Sequence, residues 1–295
     1  MDNLEKFMEE AINEAKISLR EGNHGFGSII IKNNKIISKA HDLEESESDS
    51  TSHAEINAIK LASKIIGKNL DECVILSTHE PCPMCSTAII WSGINHVVYG
   101  YSISESIKQG RKRINLACDE LFNRAEKKIK IDKNILFDQC SILYNQDVRN
   151  EIKRLRNYTL NKLNDYNEDS KNRRLEWFKK NYATFTFIND NPLDSAYNLL
   201  LSRFNTDSSK VQIIDRSENH IVFHSTNFCP TLEACKILEY DTRFICKNYN
   251  ENSTDILIKQ LDNRLRFDRN YEKLRPYYDY CEEMIFLKTN ENNDA

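Results

Sequence analysis

At 295 residues, 40% hydrophobic and 29% charged, the chain has enough apolar content to bury an interior, which excludes a wholly disordered protein; its length reaches the roughly 250–300 residues at which one core stops growing, so two domains are expected. A net charge of −4 argues against a generic polyanion binder while leaving room for a local basic patch. No run approaches the ~18 apolar residues that a membrane span needs, and the opening MDNLEKFMEE lacks the basic start and apolar stretch of a secretory leader, so the expectation is a cytoplasmic protein with no membrane segment.

In chain order, DNLEKFMEEAINEAKISLREGN sets Leu4, Phe7, Met8, Ala11, Ile12, Ala15 and Leu19 at helical spacing and predicts an amphipathic helix ending near Gly22. FGSIIIKNNKIISKA reads as a hairpin: two β-branched runs joined by Asn33-Asn34, residues that tolerate the positive φ of a tight turn. After the polar loop DLEESESDSTS, a second helix is expected from about His53 to Ile66, then the strand CVILST, a helix from about Pro83 to Ser92 with proline near its start, and the strand HVVYGY. This order predicts an α/β fold, a three-layer α/β/α domain whose mixed sheet is covered by helices. The boundaries expected are 1–160 for that domain, 161–183 for a charged helical linker and 184–295 for a smaller α+β accessory domain of unassigned role. In the last, ATFTFI, KVQIID and HIVFHS read as strands, and DSAYNLLLSRF, TLEACKILEY and STDILIKQLDNRL as helices. All seven glycines lie between Gly22 and Gly110, so the second half must turn on Asn, Asp and Ser.

Nine cysteines, an odd count without a regular framework, suggest thiols in a reducing compartment, some of them metal ligands. Cys82 and Cys85 stand three apart at a predicted helix start, where i and i+3 share a face and the helix end favours the thiolate. His53, at another helix start, can add a third ligand and leave one tetrahedral position for water, the arrangement of a catalytic zinc site. Glu55, two residues from His53, does not share its direction on a regular helix and reads as a proton carrier beside that water. Cys229, Cys235, Cys246 and Cys281, with His220 and His224 nearby, fit no compact zinc template and read as buried thiols. The aromatic run RFDRNYEKLRPYYDY reads as packing surface rather than a ligand platform.

The combination His-Ala-Glu at 53–55 with Pro-Cys-Pro-Met-Cys at 81–85 matches the zinc deaminase signature H-x-E…P-C-x-x-C. With FGSIIIKNNKIIS before it and STHEPCPMCSTAIIWSGINHVVYG around it, the stretch from about 1 to 150 resembles the cytidine deaminase superfamily, in the branch of guanine deaminases and tRNA adenosine deaminases. The resemblance implies Zn2+ held by His53, Cys82 and Cys85, catalytic proton transfer by Glu55, backbone contacts to the base around Ala54, a pocket wall near Phe26 and Gly27, and a homodimer. The implied reaction converts a ring amino group to a carbonyl with release of ammonia.

Substrate identity is less plain. Asp42 occupies the position where the family usually carries a base-reading Asn; as a carboxylate it only accepts hydrogen bonds, which suits rings rich in N–H donors, such as guanine-like purines or amino-triazines, unless it merely caps a turn. Glu44, Glu45, Glu47 and Asp49 would repel phosphates at the pocket mouth, making nucleic acid an unfavoured partner. Against this, the strip from Lys108 to Lys133 carries nine basic residues and four acidic ones, and Arg111, Lys112 and Arg113 stand where an acidic pocket residue would suit guanine. Asp119 and Glu120 are candidates to supply that carboxylate instead. The reading is therefore a deaminase of a free nucleobase or related small heterocycle; a tRNA adenosine deaminase and a non-catalytic zinc-containing binding protein are the alternatives.

Overall fold

Asn33 and Asn34 both adopt positive φ, 51° and 58°, and turn β1 (Gly27–Lys32) back along β2 (Lys35–His41). In the computed structural model, which describes residues 3–157 and 163–288, the chain divides into two units, Met1–Lys153 and Arg154–Ala295. No helix among the described residues is long and apolar enough to cross a membrane.

The first unit opens with α1 (Asn3–Glu21), whose buried face carries Met8, Ala11, Ile12, Ala15 and Leu19. After the hairpin come a short turn of helix, α2 (Glu44–Glu47), then α3 (Ala54–Ile66), β3 (Val74–His79), α4 (Pro83–Ser92) and β4 (His96–Tyr101). The unit closes with α5 (Ile103–Lys108), α6 (Cys118–Phe122), β5 (Lys130–Asp132), α7 (Phe137–Tyr144) and α8 (Gln146–Asn157), the last running across the division into the second unit. The sheet order is β2-β1-β3-β4-β5, with β1 antiparallel to both neighbours and β3, β4 and β5 parallel. Ile30, Ile75 and Val97 of the sheet cluster with Ala58 and Ala62 of α3 and Ile89 of α4, while α1 lies against β1, β2 and β3. Helices therefore cover both faces, and the β-branched runs of the central strands are buried as a two-sided sheet requires. The parallel order of β3 and β4 matters most for function, because it sets the N-terminus of α4 just beyond the carboxyl end of β3.

The second unit is an antiparallel sheet with helices. It contains α9 (Leu163–Asn181), α10 (Pro192–Arg203), β6 (Val211–Arg216), β7 (His220–Ser225), α11 (Pro230–Leu238), α12 (Thr242–Ile245), a π-helical turn (Cys246–Glu251), α13 (Asn252–Ile258), β8 (Leu265–Asn270) and β9 (Cys281–Leu287), in sheet order β6-β7-β9-β8. Three expectations change here. The segment read as a linker over 161–183 is, in its described part, α9, which packs on α13 and the π-helical turn with Tyr166 and Phe178 buried; its charges cover one side of a helix that has an apolar side too. ATFTFI is no strand, because Phe185 and Phe187 stack on one another and Phe185 packs on Trp177 and Phe178 of α9, burying on a helix the surface expected on a sheet. The helix in STDILIKQLDNRL ends at Ile258, since Asp262 accepts the Arg264 N–H and turns the chain into β8.

Gly27 is required by close approach rather than by dihedral freedom: a Cβ there would lie 2.0 Å from the Ala11 carbonyl oxygen of α1. Gly27→Ala is expected to destabilise the first unit by about 2–3 kcal/mol or more, since a backbone atom cannot rotate away. A urea melt of the variant checks this; an unchanged midpoint would mean that α1 can shift at no cost.

Candidate active site

His53 and Cys82 hold equivalent places in the fold. Each is the N-cap residue of a helix, α3 and α4 respectively, with extended backbone (φ −73°, ψ 153° and φ −66°, ψ 168°). Pro83 at the first position of α4 suits a helix start, and Cys85 falls one turn along on the same face as Cys82. The loop that delivers His53 is stitched down by Asn57, whose amide donates to the carbonyls of His41 (3.0 Å) and Ser52 (3.3 Å), and by Ser52, whose hydroxyl donates to Glu47 (2.7 Å).

His53 Nδ1 lies 3.6 Å from Cys82 Sγ and 3.4 Å from Cys85 Sγ. A tetrahedral zinc, with Zn–S about 2.3 Å and Zn–N about 2.0–2.1 Å, separates such ligand atoms by roughly 3.5 Å. The three side chains thus fit the ion, and among the described residues they are the group of acidic, thiol and imidazole donors so placed. Glu44 Oε2 sits 3.7 Å from His53 Nε2, a charge contact rather than a hydrogen bond. The Cys85 thiol, donating to Cys82 with His53 assisting, pulls Cys82 down to about 4 against the effect of burial. Its contact with Cys82 in turn pushes His53 up to about 9. Contact with Cys82, then burial and Glu55, raise Cys85. Glu55 accepts a hydrogen bond from Ser77 Oγ (2.9 Å), is 5% exposed and is raised first by burial and then by the charge on Cys82. An imidazole and two thiols converging on one point, beside a buried carboxylate, are the donor set that a zinc ion suits.

This cluster forms one side of a cavity of about 670 Å³, bordered also by Phe26, His79, Met84, Ile103, Glu44 and Glu80, and by Arg111, Lys112, Arg113 and Arg149. The Phe26 wall is backed by aromatic rings: it stacks on Tyr144 at 5.3 Å and meets His79 edge-on at 5.4 Å, while Tyr144 stacks on Tyr101 at 5.5 Å. The Tyr144 and Thr78 hydroxyls hydrogen-bond at 2.7 Å beneath them. Burial pushes the His79 imidazole down to about 3, so it borders the cavity as a neutral ring.

Residues 1–101 match the cytidine and deoxycytidylate deaminase zinc-binding region. The chain is 34% identical over 137 residues to a tRNA-specific adenosine deaminase of Bacillus subtilis, covering 46% of this chain and 83% of that protein. It is also 34% identical over 110 residues to a guanine deaminase of Bacillus subtilis, covering 37% of this chain and 70% of that one. The chain belongs to the cytidine and deoxycytidylate deaminase family. Among solved structures, the guanine deaminase from Nitrosomonas europaea is similar at 22% identity and a TM-score of 0.42, covering 47% of this chain and 81% of that one. As in its family, zinc is the cofactor, and the His53, Cys82 and Cys85 donors suit it.

Within this deaminase domain some expected contacts are absent. Asp42 does not border the cavity: fully buried, it accepts hydrogen bonds from Ser18 Oγ (2.6 Å), His24 N (2.7 Å) and Phe26 N (2.8 Å). Its acceptors are spent on holding the loop that presents Phe26, which removes the argument drawn from it for a guanine-like or amino-triazine ring. Gly27 packs against α1 beneath the wall, and its N–H donates to Thr78 Oγ1 (3.0 Å). The Ala54 side chain is buried outside the cavity, and only its N–H, at the first helical position without an intrahelical acceptor, suits a ligand. Asp119 pairs with Lys133 at 2.8 Å and neither it nor Glu120 borders the cavity. Of the expected acidic mouth, Glu44 alone borders the cavity; Glu45 faces His24, and Glu47 and Asp49 accept hydrogen bonds within their own loop. Arg149 carried no signal in the sequence, since it reaches the site from α8, where its guanidinium donates to the His24 carbonyl (2.7 Å).

Asp42→Asn places an amide N–H against a backbone N–H donor and is expected to destabilise the first unit by about 1–3 kcal/mol. Urea unfolding measures it. A variant of unchanged stability and altered base preference would restore a direct reading role for this residue.

Proposed function

We propose that the chain hydrolytically deaminates a small amino-substituted heterocycle of the nucleobase class, converting a ring C–NH2 to C=O with release of ammonia. The observation that carries this reading is the placement of Glu55, buried yet bordering the cavity, beside a three-ligand set with zinc-like spacing. A purely structural zinc calls for four protein ligands and has no need of an adjacent buried carboxylate. When bound, the ion supplies a Lewis acid that makes water nucleophilic near neutral pH. Glu55 takes the proton from the attacking water and returns protons to the ring nitrogen and the departing amine. Ser77 fixes the carboxylate for that exchange, and burial keeps it basic enough to accept. Phe26, held by Tyr144 and His79, gives the cavity an immobilised apolar wall, and the cavity's 670 Å³ lies in the range of small-molecule sites.

The second reading, adenosine deamination in tRNA, draws support from the 34% identity to the Bacillus subtilis enzyme. Ammonia release by zinc-loaded protein across free bases, nucleosides, nucleotides and an RNA hairpin separates the two. Glu55→Gln is expected to lower turnover of whichever substrate is accepted by about 10²–10⁴ while the zinc content is retained. Full activity in that variant would remove Glu55 from the mechanism, and loss of zinc along with activity would leave its role structural.

A further inference from the structure

We propose that Arg111, Arg113 and Arg149 form an anion-binding wall of the same cavity, and that the substrate is a phosphorylated amino-heterocycle, a nucleoside 5′-monophosphate or a close analogue, whose phosphate this wall receives. The proposal rests on the deaminase reading for the identity of the ring, and on the three arginines for the anion.

All three arginines line the cavity that holds His53, Glu55 and Cys82. Each donates only to backbone carbonyls: Arg111 to Tyr144 (3.5 Å), Arg113 to Lys112 (3.5 Å), and Arg149 to His24 (2.7 Å) and Leu143 (3.3 Å). Among the described residues no acidic side chain pairs with any of them, and Arg113 Nε and Nη2 are buried without a hydrogen-bond partner. Unpaired cationic donors in a partly desolvated place are costly, and a ligand anion relieves that cost. Burial, then Arg149 and Arg113, brings Arg111 down to about 10, so the three groups feel one another.

The carboxylates that face the cavity are otherwise engaged. Glu44 lies 3.8 Å from His24 and 3.7 Å from His53; Glu55 is held by Ser77; Glu80 accepts the N–H groups of Ile103 and Cys118, each at 2.9 Å. Asp42, whose charge reaches Arg149, is spent on its three donors. The Arg113 guanidinium lies 5.1 Å from the centre of the Phe26 ring and that of Arg111 lies 5.4 Å from Tyr144, cation–π contacts that keep both groups at the cavity wall. A guanidinium fork suits the oxygens of a phosphate. A ring placed in the cavity with its amino carbon toward His53, Cys82 and Cys85 therefore has a cationic surface beside it for a substituent.

A polynucleotide would need cationic surface outside the cavity as well. There part of the basic strip is paired, with Lys127 bound to Asp71, Lys130 to Asp132 and Lys133 to Asp119 at 2.8, 2.9 and 2.8 Å. Arg111, Arg113 and Arg149 gather on one cavity, a footprint that suits a single phosphate.

The test compares zinc-loaded full-length protein on matched sets of base, nucleoside and 5′-monophosphate for guanine, adenine and cytosine, alongside an RNA hairpin. The expected result is a kcat/KM for one monophosphate about 10- to 100-fold above that of its nucleoside, the worth of one or two charge-assisted hydrogen bonds. Arg113→Gln should remove most of that preference and Arg113→Lys only part of it, with thermal melts confirming that both variants fold. Calorimetry of monophosphate binding to the zinc-loaded Glu55→Gln protein, with and without Arg113→Gln, reads the anion wall independently of turnover. Binding that weakens with Arg113→Gln while nothing is turned over would sink the deaminase reading and keep the wall. A nucleoside or base used as well as its monophosphate, no monophosphate binding, or turnover confined to the RNA hairpin would each overturn the proposal.

Discussion

The site depends on two helix N-termini meeting over one edge of the sheet. His53 and Cys82 are N-cap residues, so their backbones are extended and their side chains leave the helix ends while the helices themselves run back over the core. Burying Ala58, Ala62 and Ile89 against Ile30, Ile75 and Val97 is what holds α3 and α4 in place. The zinc-spaced donors therefore inherit their spacing from ordinary hydrophobic packing, and Cys85 follows from the pitch of α4 alone. Two N-termini aimed at one point also favour the thiolates and the carboxylate gathered there.

Around that centre the protein spends its polar groups on rigidity. Asp42 shows it: a carboxylate in a position suited to reading a base instead binds three donors from α1 and the following loop, and so fixes Phe26. Tyr144, Tyr101 and His79 support the same ring from beneath. A wall of this kind contributes orientation, which lowers the entropic cost of reaching the reactive geometry. Against those same rings Arg111 and Arg113 lie without acidic partners among the described residues, so the cavity combines a zinc-spaced donor set with an aromatic wall that carries cationic groups.

Much of this was legible in the sequence because it is local. The hairpin turned on Asn33-Asn34, and the His-Ala-Glu and Pro-Cys-Pro-Met-Cys segments each carry their geometry within one helical turn. What could not be read depends on contacts far apart in the chain. Ser18 and Asp42 meet across 24 residues, and Arg149 reaches the His24 carbonyl across 125. Asp119 likewise found Lys133 rather than the pocket, a choice made by where β5 starts. In the second half, alternating aromatics in ATFTFI mimic a strand, because periodicity alone does not say whether the partner is a sheet or the side of α9.

If the cavity that His53, Cys82 and Glu55 border hydrolyses a ring C–NH2, the new oxygen must come from water. Turnover in ¹⁸O-labelled water by zinc-loaded protein, with product and ammonia quantified together, tests this directly. The expected result is one labelled oxygen in the product carbonyl for each ammonia released, activity that disappears when zinc is chelated, and its return when zinc is restored. Ammonia released without label in the product, or undiminished by removal of the metal, would contradict it.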